Sequence, residues 1–554
     1  MHAKYMNPRF RQFLLAAPVA LAALAATNAQ AAVPGISGGT GTTQTFNLSA
    51  SPAFISQPDG ASMYSWGYGC TTAPATTAFL PSPGGAPLPN ANCPPMQMPG
   101  PTLIVHKNDV VTVTLTNNLP VAAGNTSILF PGFTVTTSCP TSTTAGAPQQ
   151  GLLTCEAVHG GTVTYTFTAD TEGTHSYYSG TQGDLQIEMG MFGAVIVLPT
   201  SIPATCNPVP NSIAHFIGPN NTAEADYRLA AAAYNHSSAC YDREYLFQFS
   251  EMDPRIHRQV EEQVMSNTTC GTSNGCLQVS TEPYHPAYYM INGRSMPDDM
   301  DPNYVGQYPN QPYNGNPHLH PGELMLVRII GQGRWQHPFH EHANHVRVLA
   351  RDGNLLLAPN LLTGETENRL AGPLLFTTTT TPGQTLDGIF EWSGKGLNWD
   401  VYGHGYAGDT SPCVADANGF FTGIGGTSAQ LTAARTASNY WEWCADHKKP
   451  LEANPQGSVA AGGPMTLPEP NIVVNGPWYS GTAYLGPDAA ARAVGPTPIP
   501  PFGTIANNSA SEAGFAYMWH SHNEREITTN NIFPGGMLMM MLVDPRAYQI
   551  DESN

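Results

Sequence analysis

From Thr102 to Val543 the chain is written largely in short runs of β-branched, aromatic and aliphatic residues that alternate with polar ones and stop at Pro, Gly or Asn. A pattern of period two with such punctuation predicts strands and turns rather than helices. One series comprises Thr102-Leu-Ile-Val105, Val110-Val-Thr-Val-Thr-Leu115 ended by Asn117-Asn-Leu-Pro120, Thr162-Val-Thr-Tyr-Thr-Phe167 and Ala194-Val-Ile-Val197. A second begins at Glu244-Tyr-Leu-Phe-Gln-Phe249, continues through Leu324–Ile330, His345–Leu349 and Leu386–Phe390, and closes with Phe515–Trp519 and Met537–Val543. Each series holds enough strands for one β-sandwich. The 55 glycines, 50 prolines and low charged fraction of 11% agree with a loop-rich β protein, and 41% hydrophobic residues supply a core.

This reading divides the chain into residues 32–200 as a first sandwich, 201–241 as a linker, and 242–554 as a second sandwich carrying an insertion at about 403–510. The insertion is rich in Gly, Ala, Pro and Thr, and a short helix is expected within it near Thr427–Glu442. Residues 1–31 resemble an export signal: Lys4, Arg9 and Arg11 precede the apolar run Phe13–Ala26, and Ala29-Gln30-Ala31 offers a small-residue cleavage site. The expected destination is therefore secreted, periplasmic or extracellular. No later stretch reaches the ~20 apolar residues of a membrane-spanning helix. A net charge of −19 disfavours nucleic acid as a partner.

The ten cysteines form an even set without a CxxC pair, which in an exported chain predicts disulfides rather than a thiolate metal site. Connectivity does not follow from sequence; sequential pairing, Cys70 with Cys93, Cys139 with Cys155, Cys206 with Cys240, Cys270 with Cys276 and Cys413 with Cys444, would staple local loops.

Chemistry concentrates in two histidine clusters set in strand-like text, His337-Pro-Phe-His340-Glu-His342 and Trp519-His520-Ser521-His522. Residues two apart on a strand share a face, so His340 and His342 project together, as do His520 and His522. If the two strands are neighbours, four imidazoles converge. Imidazole without thiolate suits a borderline transition metal such as copper, zinc, iron or nickel rather than calcium or magnesium. A lone histidine would more simply be a polar strand residue; two HxH pairs reverse that balance. His337 lies three residues before His340 and would point elsewhere unless a bulge intervenes. A third pair, His318-Leu-His320, stands between Pro317 and Pro321 and is expected in a solvated loop; His404 opens the insertion. In Met537-Leu-Met-Met-Met541, alternate methionines are expected to face the core.

The order of several motifs resembles the multicopper oxidase family, which includes the laccases. Pro99-Gly-Pro-Thr-Leu-Ile-Val105 with Asn108-Asp-Val-Val-Thr-Val-Thr114 is similar to the opening of that family's first cupredoxin domain, and Met290-Ile-Asn-Gly293, His337–His342, Pro382-Gly-Gln384, His520-Ser-His522 and Pro534-Gly-Gly-Met537 resemble its later landmarks. The resemblance implies an all-β fold of two cupredoxin-like Greek-key sandwiches with a long insertion in the second. It also implies copper.

Family members pass electrons from a type 1 copper to a trinuclear copper cluster that reduces dioxygen. Of the eleven His and Cys ligands the family pattern requires, five remain, His337, His340, His342, His520 and His522. Six positions are replaced by Leu129, Pro131, Tyr178, Gly180, Ser521 and Glu526. His175 aligns with a non-ligand position. With Ser521 at the thiolate position a blue copper centre is chemically excluded, and the complete electron relay is not expected.

The expected metal residues are thus His337, His340, His342, His520 and His522, holding one or two copper ions per chain. Tyr178 is a possible further ligand, although a packed aromatic is the simpler assignment. Two functions stay open: a copper-dependent oxidoreductase with a reduced metal site acting on a small-molecule reductant, and a non-catalytic copper-binding or structural protein that keeps the cupredoxin fold.

Overall fold

The computed structural model describes residues 33–81, 90–140, 146–206, 226–266, 275–364, 366–395, 415–422, 441, 443–445, 481–485, 513–544 and 550. The expected signal, the expected helix at Thr427–Glu442 apart from Trp441, His404, Cys270 and Cys413 lie outside these residues.

The alternation in Val110–Asn117 and Thr162–Thr168 is realised directly. These strands pair antiparallel with Leu115 opposite Val163, Val113 opposite Tyr165 and Val111 opposite Phe167, all six side chains buried. Their threonines face outward, where the Thr114 and Thr164 hydroxyls meet at 3.1 Å. Each buried side chain of this kind contributes roughly 1.5 to 3 kcal/mol, so a register slip of one residue, which would turn the whole set to solvent, is strongly disfavoured.

Two sheets of five strands make the first sandwich. One runs in the order Gly173–Tyr178, Phe192–Leu198, Leu103–His106, Gly35–Ser37, Phe79–Leu80; the other in the order Ser62–Cys70, Thr43–Ser56, Val110–Asn117, Thr162–Thr168, Thr136–Thr137. The second sandwich sets Tyr288–Ile291, Arg243–Met252, Leu324–Gly331, Thr385–Glu391, Val346–Arg351 and Asn354–Leu355 against His318–Leu319, Leu538–Val543, Ala513–Ser521, His337–Glu341 and Thr377–Thr380. Parallel neighbours far apart in sequence, such as Thr43–Ser56 beside Val110–Asn117 and Arg243–Met252 beside Leu324–Gly331, give both units a Greek-key character. The fold is all-β, built of two Greek-key sandwiches, as the resemblance implied.

Strands buried on both faces lie where the sandwiches meet. Phe192–Leu198 and Arg243–Met252 are buried at every position. Ile104, Ala194 and Ile196 of the first unit pack with Leu246 and Ile330 of the second, and Arg328 reaches from Glu244 (2.8 Å) to the Thr174 hydroxyl (3.1 Å). One helix unforeseen from sequence, Pro254–Ser266, follows this junction: Asp253 caps it by accepting the Arg255 N–H at 3.0 Å, Pro254 suits its first turn, and Ile256 and Val260 enter the first sandwich's core.

The stretch read as a linker is packed in its later part, with Tyr234, Ala239 and Tyr241 buried and Cys240 joined to Cys206. The Cys70–Cys93 and Cys139–Cys155 bridges also form as expected, and Cys276 and Cys444 are disulfide-bonded. Within the insertion, Gly481–Leu485 adds a strand beside Ala513–Ser521.

Candidate metal centre

The strands carrying the two histidine clusters are antiparallel neighbours: His340 stands opposite His520, with Phe339 opposite Ser521 and Glu341 opposite Trp519. Trp519 and Phe339 point into the core against Phe247, with the two rings 6.0 Å apart. That anchoring turns His340, His342, His520 and His522 to the opposite face. Ring centroids there lie 5.0 Å apart for His340 and His342, 5.6 Å for His340 and His520, 4.8 Å for His340 and His522, 5.1 Å for His342 and His520, and 5.6 Å for His520 and His522.

A tetrahedral ion with metal–nitrogen distances of about 2.0 to 2.1 Å holds its imidazole centroids about 5 Å apart and its ligating nitrogens about 3.3 Å apart. The His342 and His520 Nε2 atoms are 3.2 Å apart. Nδ1 of His520 donates to the Ser521 carbonyl at 2.7 Å, and Nδ1 of His340 meets the Thr377 hydroxyl at 2.6 Å, arrangements that direct Nε2 of each ring to the shared space. Burial, aided by the neighbouring His522 and His520, pushes the His340 pKa down to about 4, and burial also lowers that of His520. Both rings are neutral near pH 7 and retain a lone pair. By residue type the four imidazoles suit a transition-metal ion. Among the described residues no three His, Cys, Asp or Glu side chains already close on one metal position.

His337 goes elsewhere. Its strand runs without a bulge from His337 opposite Thr380 to His340 opposite Thr377, so the His337 side chain points with Phe339 and Glu341 into the sandwich. There its Nε2 lies 2.9 Å from Glu251 and its Nδ1 2.9 Å from Glu526. Burial alone would lower its pKa, but hydrogen bonds and charge from Glu251 and Glu526 overcome that and raise it to about 9. Ser521 donates to the same Glu526 carboxylate, whose other oxygen accepts from Asn523 at 2.8 Å. His337 and Ser521 thus converge on Glu526, Ser521 by a hydrogen bond and His337 by a 2.9 Å approach of its Nδ1.

The first-sandwich positions contribute no comparable donors. Leu129 and Tyr178 pair backbone to backbone at 2.8 Å, a Cβ on Gly180 would strike Leu129, and Tyr178 packs beside Met96, Met98 and Met252 with its hydroxyl toward Gly383. His175 is a core residue, its ring 4.6 Å from Phe133 and its Nε2 3.0 Å from the Thr171 carbonyl. His318 and His320 do not occupy a solvated loop: His318 and Leu319 form a short strand paired with Leu538–Val543, His320 follows it and is buried, and the two Nδ1 atoms meet the Asp544 carboxylate (2.7 Å) and carbonyl (2.9 Å). Met537, Met539 and Met541 are fully buried, as alternation predicts. Glu251, essential to the charge cluster, was not singled out by sequence; an acid inside the apolar run Tyr245–Met252 was its only signal.

Residues 95–201 match the family profile described as multicopper oxidase. Laccase-3 of Botryotinia fuckeliana is 37% identical over 112 residues, 20% of this chain and 21% of that protein, so the match spans about a fifth of the laccase. Among solved structures, the multicopper oxidase mgLAC aligns over 91% of this chain and 86% of its own at 13% identity and a TM-score of 0.41, and the blue copper oxidase of Nitrosomonas europaea over 90% and 85% at 14% identity and 0.41. Over residues 95–201 the chain is similar to the multicopper oxidases.

Proposed function

We propose that the protein binds copper through His340, His342, His520 and His522 and acts as an exported oxidoreductase with a reduced metal site. The observation that carries this reading is the four-ring face with its 3.2 Å approach of the His342 and His520 Nε2 atoms. Imidazole sets also suit zinc and nickel; the similarity of residues 95–201 to multicopper oxidases favours copper. Bound there, copper would supply one-electron redox chemistry toward a small-molecule reductant. The chain's own contribution is to keep His340 and His520 neutral by burial, fix His520 through the Ser521 carbonyl, and present His522 at the exposed edge. Rotation of His340 and His522 would complete the coordination. His337 stands outside the ligand set because both its nitrogens are engaged by carboxylates. The disulfides support an oxidising destination.

A non-catalytic copper-binding role is the second reading, favoured by the replacement of the thiolate position by Ser521 and its absorption into a hydrogen-bonded cluster. Copper per chain, measured with the visible and paramagnetic resonance spectra and followed by turnover assays on wild type and the His342→Ala/His522→Ala double variant, separates these readings. Copper-dependent oxidase activity lost in the double variant supports the enzyme; copper binding without turnover supports the second reading. Unchanged copper binding in the double variant rules out the four-ring face.

A further inference from the structure

The outer face of the seven-stranded sheet in the second sandwich carries a cleft that the histidine chemistry does not use. Alternation sets that face: Val346 and Val348 enter the core between the sheets, so Arg347 turns outward, and Leu326 does the same between Met325 and Val327. Strand register places Leu326, Ile389 and Arg347 in one row across three strands, at the spacing of about 5 Å at which side chains on one face meet. Two further elements wall this row. One is the segment leading to Tyr241, which contributes Ser238 and Cys240 and is pinned by the disulfide from Cys240 to Cys206. The other is the hairpin of Leu357–Pro359 and Thr366–Leu370, whose Leu370 packs on the cluster that holds Tyr234, Leu326 and Leu349.

Between the walls lies an open-sided cleft of about 450 Å³, a size within the roughly 300 to 1,000 Å³ of small-molecule sites. Leu324, Leu370 and Ile389 give it an apolar surface, and Arg347 and Arg369 give it positive charge, with Ser238 and Asn368 as neutral donors. No Asp or Glu is among the described residues that line it, although the chain carries 40 acidic side chains against 21 basic ones. Glu391, opposite Leu324 in the register, lies outside the lining. The cleft is therefore a local positive field on an acidic protein. Arg347 is held there by a hydrogen bond from its Nη1 to the Gly372 carbonyl at 3.1 Å, which uses one of the five N–H donors of a guanidinium.

We propose that this cleft binds a small organic anion with an apolar body, a carboxylate of the benzoate class. The planar guanidinium fork matches a carboxylate by two parallel hydrogen bonds, while Leu324, Leu370 and Ile389 take the apolar body out of water. An inorganic anion would use the arginines and leave the apolar surface wet. A neutral apolar molecule would cover that surface and leave the arginines without a counter-charge. The site is separate from the histidine face, whose strands belong to the other sheet of the same sandwich, so it stands or falls without any reading of the metal chemistry.

The test uses the full chain with three probes: benzoate, its neutral counterpart benzamide, and acetate, which has the carboxylate without the ring. Calorimetric titration at low salt gives affinity and stoichiometry. The rise in melting temperature with benzoate checks both, because a ligand that binds only the folded state stabilises it in proportion to RT ln(1 + [L]/Kd). Arg347→Ala removes the held guanidinium, Arg369→Ala the second charge, and Ser238→Trp fills the cleft from its disulfide-pinned wall. The last two keep the test valid if the first variant does not fold. The expected result is one benzoate per chain, bound about 10-fold more tightly than benzamide or acetate, with affinity about 10-fold lower in each arginine variant and lost in Ser238→Trp. Rising salt should weaken benzoate binding, since the charges face an open-sided cleft.

Wild-type protein that shows no saturable benzoate binding overturns the proposal. So does benzamide binding as tightly as benzoate, which would mean that the arginines recognise nothing, and so does acetate binding as tightly, which would reduce the cleft to a bare anion site. Wild-type affinity in the folded Arg347→Ala, Arg369→Ala or Ser238→Trp variants would place any bound benzoate elsewhere on the molecule and overturn it equally.

Discussion

The charge on His337 gives a stability dependence on pH that His337→Gln should erase. The ring is 0% exposed, and its pKa is raised from an ordinary 6.5 to about 9 by Glu251 and Glu526 against the opposing effect of burial. A raised folded-state value contributes stability that is complete below pH 6.5, where the unfolded chain is also protonated, and disappears as pH climbs through about 9. At 1.36 kcal/mol per pH unit the shift corresponds to roughly 3 kcal/mol. Burial also raises Glu188 and Glu341 to about 8, so folded carboxyls that stay protonated cost stability in the same upward direction as the unfolded chain releases its protons. Wild-type protein should therefore weaken steadily from pH 6.5 to 9. The variant retains the carboxyl contribution but lacks that of the imidazolium, so the wild-type advantage should be roughly 3 kcal/mol larger at pH 6 than at pH 9.5. Guanidinium unfolding with chelator present, followed by tryptophan fluorescence at a series of pH values, measures this difference, and any constant packing defect cancels. Parallel profiles for the two proteins would refute the assignment of a buried imidazolium.

Copper-loaded wild type should contain no more than one or two ions per chain and lack an intense blue band, because the thiolate position is Ser521; elemental analysis and an absorption spectrum suffice. Thiol titration of denatured, unreduced protein should find none free, and replacing Cys206 and Cys240, which close a loop of sequence separation 34, should cost roughly 4 kcal/mol in chemical unfolding if the reduced chain is unconstrained. Phe339→Ala should destabilise the second sandwich by about 3 to 5 kcal/mol, since the ring packs 4.6 Å from Phe249 and 6.0 Å from Trp519.

Local periodicity made much of this architecture legible. Alternation in Val110–Leu115 and Thr162–Phe167 states which side chains face inward, and the two-residue spacing of His340 with His342 and of His520 with His522 states that each pair shares a face. The strand neighbourhood that joins the pairs follows from the resemblance, not from spacing. The helix Pro254–Ser266 escaped because its apolar positions are sparse, with only Ile256, His257 and Val260 buried. His318-Leu-His320 misled because prolines on both sides suggest a loop, whereas the final strand supplies the pairing from more than 200 residues away.

The charge cluster was the least legible part, and the reason is physical. The buried polar groups of His337, Ser521 and Glu526 must be satisfied by one another. The resemblance marks Ser521 and Glu526 as replacements, but sequence cannot show what neutralises them. One acid, Glu526, facing a histidine would already favour an imidazolium; a second acid, Glu251, from a strand whose neighbours Phe249 and Met252 are core residues, leaves a carboxylate oxygen 2.9 Å from each ring nitrogen. Neither carboxylate could be removed cheaply, because an unpaired buried charge costs several kcal/mol. Glu526→Ala should accordingly destabilise the folded chain more than Ser521→Ala, which leaves the ion pair intact and removes a single hydroxyl. Equal losses in the two variants would mean that the serine link, rather than the charge pair, holds the cluster.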